Sequence, residues 1–213
     1  FTQDELEVEL VKAEEAAIAA QKILQGIRKT NSEEISKWLR QEMAQLGMEK
    51  GDIGFHIVQT DELTALGAKS IELLFTANKG EQLLPLHKVA SGGELARIAL
   101  AFKSVFTEEP NKTLVFDEID VGISGDIALK VAEKILALSK NNQVFCITHL
   151  PQTASIANQH YHLNKTEVDN RTVSTIAVLS EEQRLEQIAS MMSGKGMSTM
   201  ALAAAAELIN HFQ

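Results

Sequence analysis

A chain of 213 residues, 45% of them hydrophobic, can bury one substantial core or a core with an appendage. Its 29 acidic residues against 20 basic ones exclude a chain that attracts nucleic acid or an anionic membrane as a whole, so any DNA contact must come from a local patch or a partner. The single cysteine, Cys146, excludes an intrachain disulfide framework and suits a reducing cytoplasm. No apolar run reaches the ~18 residues a membrane helix needs, and Phe1 in place of methionine is what a fragment or processed product would show.

Leu6, Leu10, Ala13, Ala17, Ala20, Leu24 and Ile27 step by four and three, the seam of a heptad repeat, so the chain is expected to open with a coiled-coil helix. After Ile27 the phase slips through Asn31, Glu33 and Glu34. A second apolar set, Ile35, Trp38, Leu39, Met43 and Leu46, then faces another direction until Gly47. Residues 1–47 are therefore expected to form an arm whose alanine-rich seam needs a partner helix, and residues 48–213 a globular head. Residues 55–59 alternate apolar and polar, as do Ile71, Leu73 and Phe75, with glycine-containing turns such as Asn78-Lys79-Gly80, which predicts strands.

The period changes at V-A-S-G-G-E-L-A-R, residues 89–97. Leu95, Ile98, Ala99, Phe102, Val105 and Phe106 predict the apolar face of a helix. Ser91 and Glu94 fit a capping box at its start, yet Gly92 and Gly93 fill the first turn, each at about 1 kcal/mol relative to alanine. An apolar strand at residues 113–116, a helix with Ile127, Val131, Ile135 and Leu138 on one face, and a strand at residues 143–148 make a strand, helix, strand unit. That unit implies two parallel strands buried under helices, with Cys146 a small core residue in the second. Strands near residues 160–164 and 172–179 and helices at residues 181–192 and 198–212 complete an α/β chain without internal repeats.

In open α/β sheets ligands bind beyond the carboxyl ends of the parallel strands. There stand Asp117 and Glu118 after one strand and His149 after the other. Adjacent carboxylates suit a Mg²⁺-nucleotide site, one holding the metal and the next polarising an attacking water. Acids that simply close a surface strand would read the same way, and a lone histidine after a strand is more often structural. The strand, helix, strand unit would bring His149 beside the acids, where it could touch a terminal phosphate. Bare glycines at a helix N-terminus let phosphate oxygens reach exposed amides, so Ser91, Gly92 and Gly93 read as an anion contact, whereas a cap alone explains only Ser91 and Glu94.

No P-loop accompanies these features. Lys69-Ser70 has Leu63 and Ala68 at both glycine positions, and Gly194-Lys195 is followed by Gly196 with Ala189 at the earlier glycine. His160 and His162 share a strand face without an evident third metal ligand and read as structural. Met191-Met192 and the alanines from Ala203 to Ala206 read as packing of terminal helices.

Ala90-Ser91-Gly92-Gly93-Glu94 resembles the signature motif of ABC-type ATPases, Leu114-Val115-Phe116-Asp117-Glu118 their Walker B strand, Asp120 their D-loop aspartate and His149 their switch histidine, in the family's order. D-E-I-D-V-G-I-S-G and T-H-L-P-Q bring the resemblance closest to the SMC-like branch that acts in bacterial DNA double-strand-break repair, over nearly all of residues 48–213. Transporters usually carry a proline and an S-A-L-D-like segment after the glutamate, and their continuous heads keep the P-loop. The resemblance implies the C-terminal lobe of an ABC-type ATPase head with a descending arm helix. It implies that Asp117 holds Mg²⁺, that Glu118 is the general base for ATP hydrolysis and that His149 senses the γ-phosphate. Asp120 would couple two heads, and Ser91, Gly92 and Gly93 would contact ATP held by the opposite head of a homodimer. The implied partners are the N-terminal P-loop half of the same protein, without which the fragment is expected to be inactive, a second head, and DNA. The implied location is the cytoplasm, on the nucleoid when acting on DNA, with no membrane. A nucleotide-dependent DNA-tethering scaffold that scarcely hydrolyses ATP is the alternative.

Overall fold

The computed structural model describes residues 2–58, 60, 62–67, 70–106, 111–168, 171–194 and 198–212. Gln59, placed at the end of the first expected strand, and Ala68, Lys69, Lys195 and Gly196, weighed as P-loop positions, lie outside them. The chain divides into two compact units, residues 1–44 with 48–90 and residues 45–47 with 91–213.

The first unit is built on α1, Gln3–Gln45, 43 residues long. Thr2 and Glu5 cap it reciprocally, the Thr2 amide donating to Glu5 Oε2 at 2.8 Å and the Glu5 amide to Thr2 Oγ1 at 3.4 Å. The helix runs unbroken through the phase slip at Asn31 to Glu34, because a change of buried face does not require a change of backbone. The seam residues Leu6, Leu10 and Ile27 are exposed. Of the second apolar set in this unit, Leu39 and Met43 are fully buried and Ile35 is half-buried. Trp38 departs from the expectation and is exposed, since it stands one residue, about 100° of helix rotation, from Leu39. Then follow β1 (Asp52–Val58), β2 (Ser70–Thr76), β3 (Leu84–Pro85) and the short helix α2 (Leu86–Val89). The three strands form an antiparallel sheet in which Ile53 faces Phe75, both fully buried.

The second unit carries α3 (Gly92–Phe106), β4 (Thr113–Phe116), α4 (Gly125–Ser139), β5 (Gln143–Cys146), α5 (Pro151–Ser155), β6 (Tyr161–Val168), β7 (Arg171–Val178), α6 (Glu181–Ser193) and α7 (Thr199–His211). The expected parallel pair is present, Leu114 opposite Val144 and Phe116 opposite Cys146. α4 buries Val131, Ile135 and Leu138, as its periodicity predicts, together with Ala128 and Ala132. α6 opens with a Ser180–Gln183 capping box and packs with α5 and α7 around Ala154, Ile188, Ala189, Ala205 and Ile209. β6 and β7 pair with each other as an antiparallel hairpin.

Two apolar surfaces in this unit are left open. On the other face of the parallel pair Val115 is 64% exposed, Ile147 59%, and Phe145 is exposed as well. Buried-on-both-faces is the ordinary state of parallel strands, and here one face stands open. On α3 the buried residues are Gly93, Arg97, Ile98, Leu100 and Ala101. Of the face predicted from sequence, Ile98 is buried and Phe102 and Val105 are half-buried, whereas Leu95, Ala99 and Phe106 are exposed. The helix is apolar on two sides, and this unit covers one of them. Among the described residues no helix is long and apolar enough to cross a membrane.

Candidate nucleotide site

The expected site residues gather in the second unit, around the carboxyl end of β4. The chain leaves β4 at Asp117, and Glu118 takes a left-handed backbone, φ +57°. A non-glycine residue held there costs of order 1–3 kcal/mol. The conformation starts a turn in which the Val121 amide donates to the Glu118 carbonyl at 3.2 Å. Asp117 and Glu118 both have exposed side chains.

The start of α3 lies against this turn. Ser91 and Glu94 form the expected capping box: the Ser91 amide and hydroxyl each donate to Glu94 Oε2 at 2.8 Å, and the Glu94 amide donates to Ser91 Oγ at 3.3 Å. A methyl group built on Gly92 would stand 2.7 Å from Glu118 Oε2, and one built on Gly93 would stand 3.0 Å from the Val121 carbonyl and 3.2 Å from the Glu118 carbonyl. Gly93 thus has a reason inside the chain itself, since a Cβ there would meet backbone carbonyls, whereas at Gly92 it would meet only the movable Glu118 carboxylate.

This close approach separates the two positions by experiment. Gly92→Ala meets only the far end of a flexible side chain, so the chain should keep or slightly raise its stability through the better helix former, with Glu118 pushed aside. Gly93→Ala meets backbone that cannot swing away and should lose about 1–3 kcal/mol, the usual cost of overpacking. Denaturant unfolding of both variants reads the difference, and a Gly92 variant less stable than the Gly93 variant would contradict the packing.

Asp120 is buried, 1% exposed, and turned toward the β5 side of the site. Its Oδ2 accepts from the Thr148 hydroxyl and from the amides of His149 at 3.0 Å and Leu150 at 3.3 Å. Its Oδ1 lies 3.4 Å from His149 Nδ1, while the His149 side chain is 67% exposed. Asp120 and His149 are brought together here, because β4 and β5 are parallel neighbours and the chain leaves both strands at the same end. Asp120 stands inside the unit in this arrangement.

Two residues of the site had no place in the sequence reading. Arg97 is buried and donates to the carbonyls of Ile119 at 3.3 Å and Val121 at 2.8 Å, tying α3 to the turn after β4. Burial lowers its pKa from the usual arginine value, with Glu94 opposing. The signal was there, a cation one position from Ile98 on a helix that is otherwise apolar at that level. Thr148 is the other, a hydroxyl placed immediately before the histidine. Cys146 is half-buried, and burial, with Asp120 and Asp117 adding, pushes its thiol up to about 12, which makes it a poor nucleophile.

Among the described residues no three metal-ligating side chains cluster. The donor set still suits Mg²⁺, which is ordinarily held by one or two carboxylates together with phosphate oxygens and waters, without an all-protein cage. Asp117, an exposed hard oxygen donor at a strand end, fits that role. His160 Nδ1 is buried without a hydrogen-bond partner, and burial followed by Arg184 and His162 lowers the ring's pKa.

No family model matches the chain. It is 37% identical over 210 residues to the DNA repair protein RecN of Rickettsia bellii, covering 98% of this chain and 38% of that protein. It is 40% identical over 206 residues to the DNA repair protein RecN of Deinococcus radiodurans, covering 97% of this chain and 35% of the relative. The chain thus spans little more than a third of the curated relatives it matches. Among solved structures it resembles the Smc head domain with coiled coil and joint from Pyrococcus yayanosii, at a TM-score of 0.59 and 22% identity over 89% of this chain and 35% of that one. The fold is therefore that of a lobe of an SMC-type, ABC-type ATPase head, and the chain is a homologue of about one third of the DNA repair protein RecN, consistent with its C-terminal part.

Proposed function

We propose that this chain is the C-terminal part of an SMC-like ATPase head that works in DNA double-strand-break repair, with residues 1–47 as the descending arm and residues 48–213 in the head. The observation that carries the reading is the convergence of the α3 start, Glu118 and the Asp120–His149 pair at one end of a parallel strand pair. The chain supplies carboxylates, a histidine and a helix start, and its sequence holds no loop able to cradle the α- and β-phosphates. The N-terminal P-loop part of the same protein is the natural partner. The open faces at Val115, Phe145 and Ile147 and along α3 support this, since both are apolar and uncovered.

In the assembled head Asp117 holds Mg²⁺, which when bound offsets charge on the ATP phosphates. Glu118 takes the proton of the attacking water. His149 contacts the terminal phosphate, and Ser91, Gly92 and Gly93 meet ATP held by the opposite head of a homodimer. DNA binds the whole assembly, in the cytoplasm on the nucleoid. Supplying the P-loop part and measuring DNA-stimulated ATP turnover tests the reading: turnover is expected of the assembled protein, and its absence from a properly folded assembly would overturn it.

A further inference from the structure

A fully buried carboxylate must find donors, because removing it from water costs several kcal/mol unless hydrogen bonds replace the lost hydration. Asp120 finds its donors in one place. Three consecutive residues, Thr148, His149 and Leu150, donate to a single oxygen, two through their amides and one through its hydroxyl. The Thr148 hydroxyl oxygen also accepts from the Leu150 amide at 3.0 Å, closing a small network. The other carboxylate oxygen stands 3.4 Å from the Nδ1 side of the His149 ring. These contacts of Asp120 all fall on the segment Thr148–Leu150, two of them on the backbone and ring of the exposed His149.

We infer that Asp120 is a positioning residue that fixes the Thr148–Leu150 segment and aims His149, acting inside its own head and not across to a second one. Its backbone acceptance sets where the His149 Cα stands, and its contact with Nδ1 leaves Nε2 as the ring nitrogen available to a ligand. A residue 1% exposed offers nothing to a partner head in this conformation, whereas hydrogen bonds spanning β4 and β5 give it a full local task. Thr148 shares that task, which explains a hydroxyl residue at a position where the preceding strand is apolar. The catalytic part of this inference rests on the ATPase reading above; the structural part does not.

Two measurements separate those parts. In the 213-residue chain, amide hydrogen exchange at His149 and Leu150 should quicken about tenfold or more in Asp120→Ala, the scale of one hydrogen bond to a charged acceptor. Asp120→Asn, which keeps one acceptor oxygen in the same shape, should restore most of the protection, and amides of α4 should not change. Where Asp120→Ala fails to fold by circular dichroism, Thr148→Val removes one donor and is read at the Leu150 amide. Unchanged exchange at both amides in a folded Asp120→Ala chain overturns the proposal. In the assembled head, Asp120→Ala should lower kcat by about tenfold with KM for ATP nearly unchanged, and should add little to His149→Ala, because residues that act through one another are not additive. Fully additive losses would place Asp120's effect elsewhere and overturn the positioning role. An assembled wild type that turns over no ATP sinks the ATPase reading, while the exchange experiment still decides whether Asp120 holds the segment.

Discussion

Glu118→Gln, introduced into the chain assembled with its P-loop part, is expected to bind ATP as the wild type does and to hydrolyse it about 10² times more slowly or worse, the scale of a lost general base. Glutamine keeps the shape and length of the side chain, so the contact with Gly92 and the left-handed turn are retained. What is lost is the capacity to take a proton. Because ATP then stays in place, head dimers should accumulate, and sizing in Mg-ATP reads them directly. A variant that still turns over ATP at the wild-type rate would show that Glu118 is not the base. Full binding with negligible wild-type turnover would instead favour a DNA-tethering scaffold, for which a carboxylate at this place has no task.

Ser91→Arg is expected to abolish turnover in a homodimer yet leave each head able to bind ATP as a monomer. Ser91 is exposed, and among the described residues its side-chain hydrogen bonds are those of the capping box with Glu94, worth about 1 kcal/mol, so an arginine there should not unfold the chain. Its bulk would block whatever approaches the α3 start. If that visitor is ATP on a second head, each site is composite, and a mutant of the P-loop lysine has the complementary defect. Mixing the two inactive proteins then makes dimers with one intact site and one site broken twice, and part of the turnover should return. ATP affinity lost by the Ser91→Arg monomer would place Ser91 in its own head's site and sink the composite arrangement.

The distance between sequence and structure is instructive at particular residues. The face of α4 and the parallel pairing of residues 113–116 with 143–146 were legible because one unit supplies both the apolar pattern and its cover. The face of α3 was not, because the apolar pattern includes a stripe at Leu95, Ala99 and Phe106 that is exposed in this chain, while the buried one includes Arg97, a cation that no periodicity count enters as core. That the acids after β4 and His149 after β5 stand at the same end of the parallel pair could be read from the strand, helix, strand order alone. Gly92 and Gly93 were rightly singled out as costly, but their contact with Glu118 and Val121 joins residues more than 20 apart and depends on how closely α3 approaches the turn. Asp120 shows the same limit: the family resemblance implied a role between two heads, and only three-dimensional packing puts its buried carboxylate on the Thr148–Leu150 segment.

The most direct test of the claim that this chain is one half of a nucleotide site is calorimetric titration with Mg-ATP, first of the 213-residue chain alone and then of its complex with the P-loop part. The chain alone should give no binding heat at micromolar affinity, because carboxylates, a histidine and a helix start do not cradle the α- and β-phosphates, and the complex should bind. Micromolar binding of Mg-ATP by the chain alone would contradict the account.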